Sequence, residues 1–418
     1  MEYLHLEVSD SVSGDKSKRV THLREDGSSK KIDVFYEFDR IVQWSENTLL
    51  DGHVFAILLY ALSRGKPLKV HGTISHMAMR NLEELQSAWC MWRPELYKKI
   101  EIIPDKIDYT SKIRKEEKAI SLFSGGVDSI YTALRHKRLL AKNVHYPLTS
   151  VLMVHGFDVD MYNGDGFSKL TRRVRPIVDD LGLEFRTLRT NSRELKIQEW
   201  DYSHGLELAA CLHICSDEFD FGLIGSSGPY DSFGIPWGSS PVTDHLISGN
   251  NFSIVYDGGG TFRTDKVKAL INYPLACQAL KVCYEAGDQS GNCGNCEKCI
   301  RTKLNFLAAG ATSMPNCFPN GFDIQQIKNI TINPSGQFRE YRRIVKYARS
   351  NNIAGEWISI IERQIAEWEK TTPSMAANII KKKNASFIKK FLAKLCVVLH
   401  IDEPAKKIWR KLRRTILK

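Results

Sequence analysis

Two groups of residues in this chain have types and spacings suited to chemistry. The first is Leu122-Phe123-Ser124-Gly125-Gly126-Val127-Asp128-Ser129. The apolar run Ala119 to Phe123 has the length of a buried strand, and Ile130 to Leu134 opens a helical stretch, so the glycines fall in a strand-to-helix turn. Gly125 and Gly126 carry no Cβ and let the backbone N–H groups approach an anion at the helix N-terminus. Ser124 and Ser129 add hydroxyl donors, and Asp128 is a carboxylate able to hold Mg²⁺ against phosphate oxygens. An isolated Ser-Gly-Gly with an Asp would read as an ordinary capped loop. The second group is Cys283, Cys293, Cys296 and Cys299, four thiols within seventeen residues. Three of them stand in successive C-x-x-C steps, a spacing that suits a tetrahedral Zn²⁺ site, with glycines at 287, 291 and 294 for the tight turns. An iron–sulfur cluster is the serious alternative. A disulfide framework fits poorly, because cysteines two apart rarely bridge well.

The Ser124 to Ser129 segment lacks the Gly-Lys-Ser/Thr ending of a Walker loop. It resembles the PP-loop of the ATP pyrophosphatase superfamily, and with the late cysteines the chain is similar to 7-cyano-7-deazaguanine synthases. The resemblance covers roughly residues 116 to 312. It implies an α/β doubly wound parallel sheet that binds ATP and Mg²⁺ and cleaves ATP between the α and β phosphates. A carboxylate or amide of a small-molecule or modified-base substrate, with a 7-carboxy-7-deazaguanine-like acid leading, would be adenylated and then attacked by ammonia or an amine. By the same resemblance Cys283, Cys293, Cys296 and Cys299 are zinc ligands. Ser124, Gly125, Gly126, Val127, Asp128 and Ser129 hold phosphate. His155 and Gly156 line the adenine, and Lys266 neutralises the departing pyrophosphate, so Ser124, Asp128 and Lys266 are the expected catalytic residues. Asp244, Arg263 and Arg301 are the candidate substrate contacts. The segments outside 116 to 312 look like those of longer relatives in bacterial defence and surface-polysaccharide gene neighbourhoods. A tRNA thiolase of the same superfamily, and a non-enzymatic ATP-binding module, are the rival readings.

The elements that must position these residues follow from pattern. Residues 1–115 read as a separate α+β domain, with strands at Val34–Phe38 and Pro67–His71 and helices over Leu50–Ser63 and Met79–Trp92. The charged stretch 112–118 is the expected linker. In the core, strands at Ser150–Val154, Phe185–Leu188 and Phe221–Gly225 alternate with helices, which predicts a parallel sheet whose ligands bind at the carboxyl ends of its strands. The Gly-, Ser- and Pro-rich stretch Trp237 to Asp244 is the candidate substrate loop, and His204 to Glu207 is expected to open a helix. Cys211 and Cys215, four apart, suit core packing on a helix. Residues 313–378 read as helical and 379–418 as a basic tail. From Lys381 to Lys418 there are 13 Lys/Arg against 2 Asp/Glu, a surplus of 11 that matches the formal +11 of all 418 residues. Apolar residues recur there at helical spacing against lysines, so the tail suits an anionic membrane or nucleic acid. With no signal-peptide pattern and no long apolar run, a cytoplasmic protein, peripheral at a membrane through its tail, is expected, and a homodimer is a further expectation.

Overall fold

The computed structural model describes residues 2–370, except 46–47, 111–115, 141–142, 232–233, 329, 331–336 and 368, so the expectations for the basic tail lie outside the described residues. In chain order the strands and helices are β1 (Leu4–Ser13), β2 (Lys16–Glu25), β3 (Lys31–Phe38), α1 (Asp51–Arg64), β4 (Leu68–Ser75), α2 (His76–Trp92), β5 (Ile102–Asp108) and β6 (Ala119–Leu122). There follow α3 (Val127–Lys137), β7 (Leu148–His155), α4 (Gly164–Asp180), β8 (Glu184–Thr190), α5 (Trp200–His213), β9 (Phe221–Gly225), β10 (Ser253–Asp257) and α6 (Arg263–Ile271). The last are α7 (Pro274–Ala279), α8 (Glu297–Ala308), α9 (Gln325–Lys328) and α10 (Gln337–Ser350). The protein is α/β, built on one ten-stranded, mostly parallel sheet in the order β10-β9-β6-β7-β8-β3-β2-β1-β4-β5.

Both faces of the central strands are covered, because successive residues of a strand point to opposite sides. Ile120, Leu122 and Leu152 join a hydrophobic cluster with α1 and α5, while Ala119, Phe123, Val151 and Met153 join a second with α3 and α4. Near-continuous apolar runs such as Ala119 to Leu122 are what a strand buried on both faces requires.

The break expected at residue 115 is absent from the sheet. The antiparallel strand β3 pairs with β8 through Tyr36–Thr190, Glu37–Arg189 and Phe38–Leu188, so the N-terminal strands extend the same sheet. Contacts within the chain define one compact unit of residues 1–331 with 347–353, and a second of 332–346 with the residues from 354 onward. In the second unit residues 356–367 are helical. Helix α5 begins at Trp200, so His204 lies in its second turn and does not open it. No helix among the described residues is long and apolar enough to cross a membrane.

Candidate functional site

Strand β6 delivers Phe123 into the core, and the chain then reverses through Gly125 at φ 74°. A side chain at Gly125 would be strained by that φ, and its Cβ would meet Val174 Cγ1 at 2.8 Å. Gly126 is the N-cap of α3 and supplies no side-chain cap, which leaves the first-turn N–H groups for an anion. Ser129 ties the turn together: its Oγ accepts from Ser124 N at 3.2 Å and donates to Gly126 O at 3.1 Å.

Asp128, one residue into α3, faces two cations from α6. Lys266 Nζ donates to Asp128 Oδ1 at 3.0 Å and also to Ser226 O at 2.6 Å and Ser226 Oγ at 2.8 Å. Arg263 pairs with the other carboxylate oxygen. Burial raises the Asp128 carboxyl, but the Arg263 guanidinium and the Lys266 ammonium overcome it and hold the group below its ordinary value. Helix α6 is itself anchored, since Thr264 Oγ1 donates to Asn305 Oδ1 of α8 at 2.7 Å. At the end of β10 the buried Asp257 accepts from Thr132 Oγ1 at 2.7 Å, Arg135 Nη1 at 2.6 Å and His136 Nε2 at 3.1 Å, binding α3 to the sheet.

Further cations converge from beyond α6. Lys281 is nine-tenths buried, and its N–H donates to Gly125 O at 2.9 Å, so its segment lies against the Ser124–Ser129 turn. Lys298 Nζ sits 3.6 Å over the ring of Tyr284, which is 60% exposed. Burial lowers Lys298 to about 8, with Arg263 and Arg301 pushing the same way against Asp158 and Asp128. Arg301 is engaged on its own helix, where its Nε donates to Glu297 Oε1 at 2.7 Å.

The four cysteines lie together, every Sγ within 4.8 Å of the others. Cys283 Sγ and Cys296 Sγ are 3.6 Å apart, and Cys293 Sγ and Cys299 Sγ 4.0 Å. A tetrahedron with Zn–S bonds of about 2.3 Å has edges of about 3.8 Å, so the thiols form a group that could hold a metal such as zinc. Backbone amides approach the sulfurs as they do metal-bound thiolates: Glu285 N donates to Cys283 Sγ at 3.2 Å, and Cys296 N to Cys293 Sγ at 3.2 Å. Asn292 fixes the knot, its Oδ1 accepting from Val282 N at 2.8 Å and Cys283 N at 3.2 Å. The ammonium of the buried Lys303 donates to Gly294 O at 2.8 Å beside the thiols.

Other expected residues have different surroundings. Asp244 is fully buried, and its carboxylate accepts from Ser239 Oγ and Ser240 N, both at 2.7 Å, so it staples the Trp237–Asp244 loop and its donors come from that loop. Burial lifts it to about 7. His155 ends β7 with Nε2 bonded to Asp160 O at 2.8 Å and its ring stacked on Phe167 at 4.4 Å. Burial lowers its pKa, so a neutral ring is favoured. Gly156 is at φ 118°, where an added Cβ would lie 2.0 Å from Thr190 O. Lys281, Tyr284 and Lys298 were not among the expected site residues. Their signal was adjacency to Cys283 and Cys299 in the chain.

Taken together, the turn at Ser124 to Ser129 has Asp128 and the four cations Arg263, Lys266, Lys281 and Lys298 around an open helix N-terminus, an arrangement with the charge and free N–H groups suited to an anion. No protein-family model matches this chain, and no curated protein or solved structure matches it.

Proposed function

We propose that this protein is an ATP-dependent, AMP-forming ligase of the PP-loop kind, with residues 116–312 as its catalytic region. It activates a carboxylate, with a 7-carboxy-7-deazaguanine-like acid as the leading substrate, and couples it to ammonia or an amine. The observation that carries this reading is Asp128 in the first turn of an uncapped helix, shared by the deeply buried Lys266 and by Arg263. Phosphates bound to the α3 N–H groups would meet both cations, which then stabilise the charge that collects on departing pyrophosphate. Asp128 is the residue to hold Mg²⁺, which would neutralise phosphate charge. Zn²⁺ on the four cysteines would serve structure, since its four ligands leave no open position.

Sulfur transfer needs a reactive thiol, and Cys211 and Cys215 are both buried. Burial pushes Cys211 well above its ordinary range and Cys215 to about 12, so neither favours thiolate. The test is incubation with ATP, Mg²⁺, candidate carboxylic acids and ammonia, with AMP and pyrophosphate quantified. Equal amounts of both products, dependent on the acid, support the ligase. ATP that stays intact on the protein throughout would favour a non-enzymatic ATP-binding module.

A further inference from the structure

We propose that Lys281, Tyr284 and Lys298, presented by the four-cysteine knot, form a second anion subsite that takes the phosphate nearest the nucleoside, apart from the terminal phosphates at Asp128, Arg263 and Lys266. This assignment rests on the nucleotide reading above and deepens it.

The first support is an ammonium lacking an anion. Lys281 is only 3% exposed, yet among the described residues its Nζ has no carboxylate or hydrogen-bond partner and only the Tyr284 ring at 5.9 Å. Lys266, equally buried, has three oxygen partners, and Lys303 has two. The Lys281 stem is buried but its ammonium is not fully enclosed, so the unpaired charge stands open to an anion. Lys298 is partly buried, with its Nζ resting on the Tyr284 ring at 3.6 Å, and among the described residues no carboxylate pairs with it.

The second support is position. The Lys281 backbone is hydrogen-bonded to Gly125, and Lys281 O lies 3.5 Å from where a Cβ on Gly126 would stand, so this segment walls the phosphate-type turn. The knot is also bonded to the segment that follows β7, where Asp160 N donates to Gln289 Oε1 at 2.8 Å. The knot that carries both lysines therefore touches the turn that follows β6 and the segment that follows β7. A triphosphate with its terminal phosphates at Asp128 and its nucleoside towards β7 must pass the knot with its α-phosphate. The knot sets this geometry, because Tyr284 follows Cys283 and Lys298 precedes Cys299.

At that point the chemistry needs positive charge. A carboxylate oxygen of the substrate forms a bond to the α-phosphorus as the bond from that phosphorus to the bridging oxygen breaks, and the electron pair leaves with pyrophosphate. No proton is transferred and nothing is oxidised. Two ammonium groups on the α-phosphate oxygens stabilise the added negative charge and orient the phosphorus.

The test is calorimetric binding of two probes, AMP and inorganic pyrophosphate, to the full chain and to Lys281→Met, Lys298→Met and Lys266→Met. Each of the first two substitutions is expected to weaken AMP by about tenfold and to leave pyrophosphate within about twofold, while Lys266→Met does the reverse. Lys281→Arg should keep AMP binding. If Lys281→Met does not fold, Lys298→Met decides, since that side chain is only partly buried. Loss of pyrophosphate alone, or equal loss of both probes, would overturn the subsite and leave the nucleotide reading standing. A parent chain that binds neither probe would overturn both.

Discussion

Replacing Asp128 by Asn probes the centre of the proposed site through stability and through binding. An exposed loop carboxylate could be removed at little cost, but this one is not exposed: in the pairs it makes, the side chains of Lys266, Arg263 and Asp128 are 3%, 12% and 20% accessible. Asp128→Asn leaves Lys266 with the two Ser226 oxygens and no counter-charge, facing Arg263. Breaking a buried pair from one side costs about 3–5 kcal/mol, and water reaching the partly accessible carboxylate moves the expectation to the low end, about 3 kcal/mol. Urea unfolding near neutral pH should show a lower midpoint with an unchanged slope.

Ligand linkage then separates a functional carboxylate from a merely structural one. Without Mg²⁺, pyrophosphate supplies the missing negative charge in the variant, so it should bind the variant more tightly than the parent and restore about 2.7 kcal/mol at a hundredfold excess over its Kd. With Mg²⁺ the order should invert, because only the parent keeps the carboxylate that would hold the ion. The reasoning fails if Asp128→Asn matches the parent in stability, or if Mg²⁺ changes pyrophosphate binding equally in both.

Asp244 gives a pH test. Burial raises it from 3.8 to about 7, so the folded state holds its proton more tightly, and the stability this group contributes is complete below about 4 and lost as pH climbs to about 7. At about 1.4 kcal/mol per unit that loss is at most about 4 kcal/mol, so Asp244→Asn should gain on the parent by that order between pH 4 and 8, and a pH-independent difference in urea midpoints would refute the assignment. Cys296→Ser should lower both bound zinc, measured by elemental analysis, and melting temperature, because the binding energy of such a site is folding energy; iron and sulfide in the parent would replace the zinc reading. Gly156→Ala should cost about 3 kcal/mol or more from its φ and its contact with Thr190 O, whereas Gly164→Ala, with nothing within 4 Å of the new Cβ, should be near neutral in the same thermal melt.

What the sequence made legible was local. Phe221–Gly225 was read with its observed bounds, and the turn at Ser124 and the cysteine knot were readable because their residues are neighbours in the chain. Strand β2 escaped because three of its four inward positions are polar, whereas β1 buries only Leu4 and Leu6 before its outer half becomes exposed. In β2 the buried residues are Ser17, Arg19, Thr21 and Leu23, so the hydrophobic alternation is hidden. Those polar groups are satisfied only by distant partners: Arg19 Nε donates to Asp10 Oδ1 at 2.7 Å, and Thr21 Oγ1 bonds His53 Nδ1 at 2.6 Å. The surroundings of Asp244 were hidden for a related reason. A carboxylate in a Gly- and Ser-rich loop reads as available, and only folding shows that Ser239 and Ser240 already occupy it.

The continuity of the sheet was equally out of reach of pattern, since the pairing of Tyr36 with Thr190 joins residues far apart in the chain, and it bears on what the N-terminal strands do. They hold the segment that follows the Trp237–Asp244 loop. Asn250, just past the Trp237–Asp244 loop, donates through Nδ2 to Asp108 O and Thr110 O, both at 2.8 Å, and accepts from Met77 N at 2.9 Å. Asn81 Nδ2 donates to Ser248 O at 2.9 Å, and Ser75 Oγ accepts from Asn250 N at 3.1 Å. Helix α1 shares one hydrophobic cluster with α5, so removing residues 1–115 would strip that cluster and leave β8 as a bare edge. The N-terminal segment is thus part of the scaffold that holds the candidate substrate loop, and residues 116–312 do not carry their own complete core.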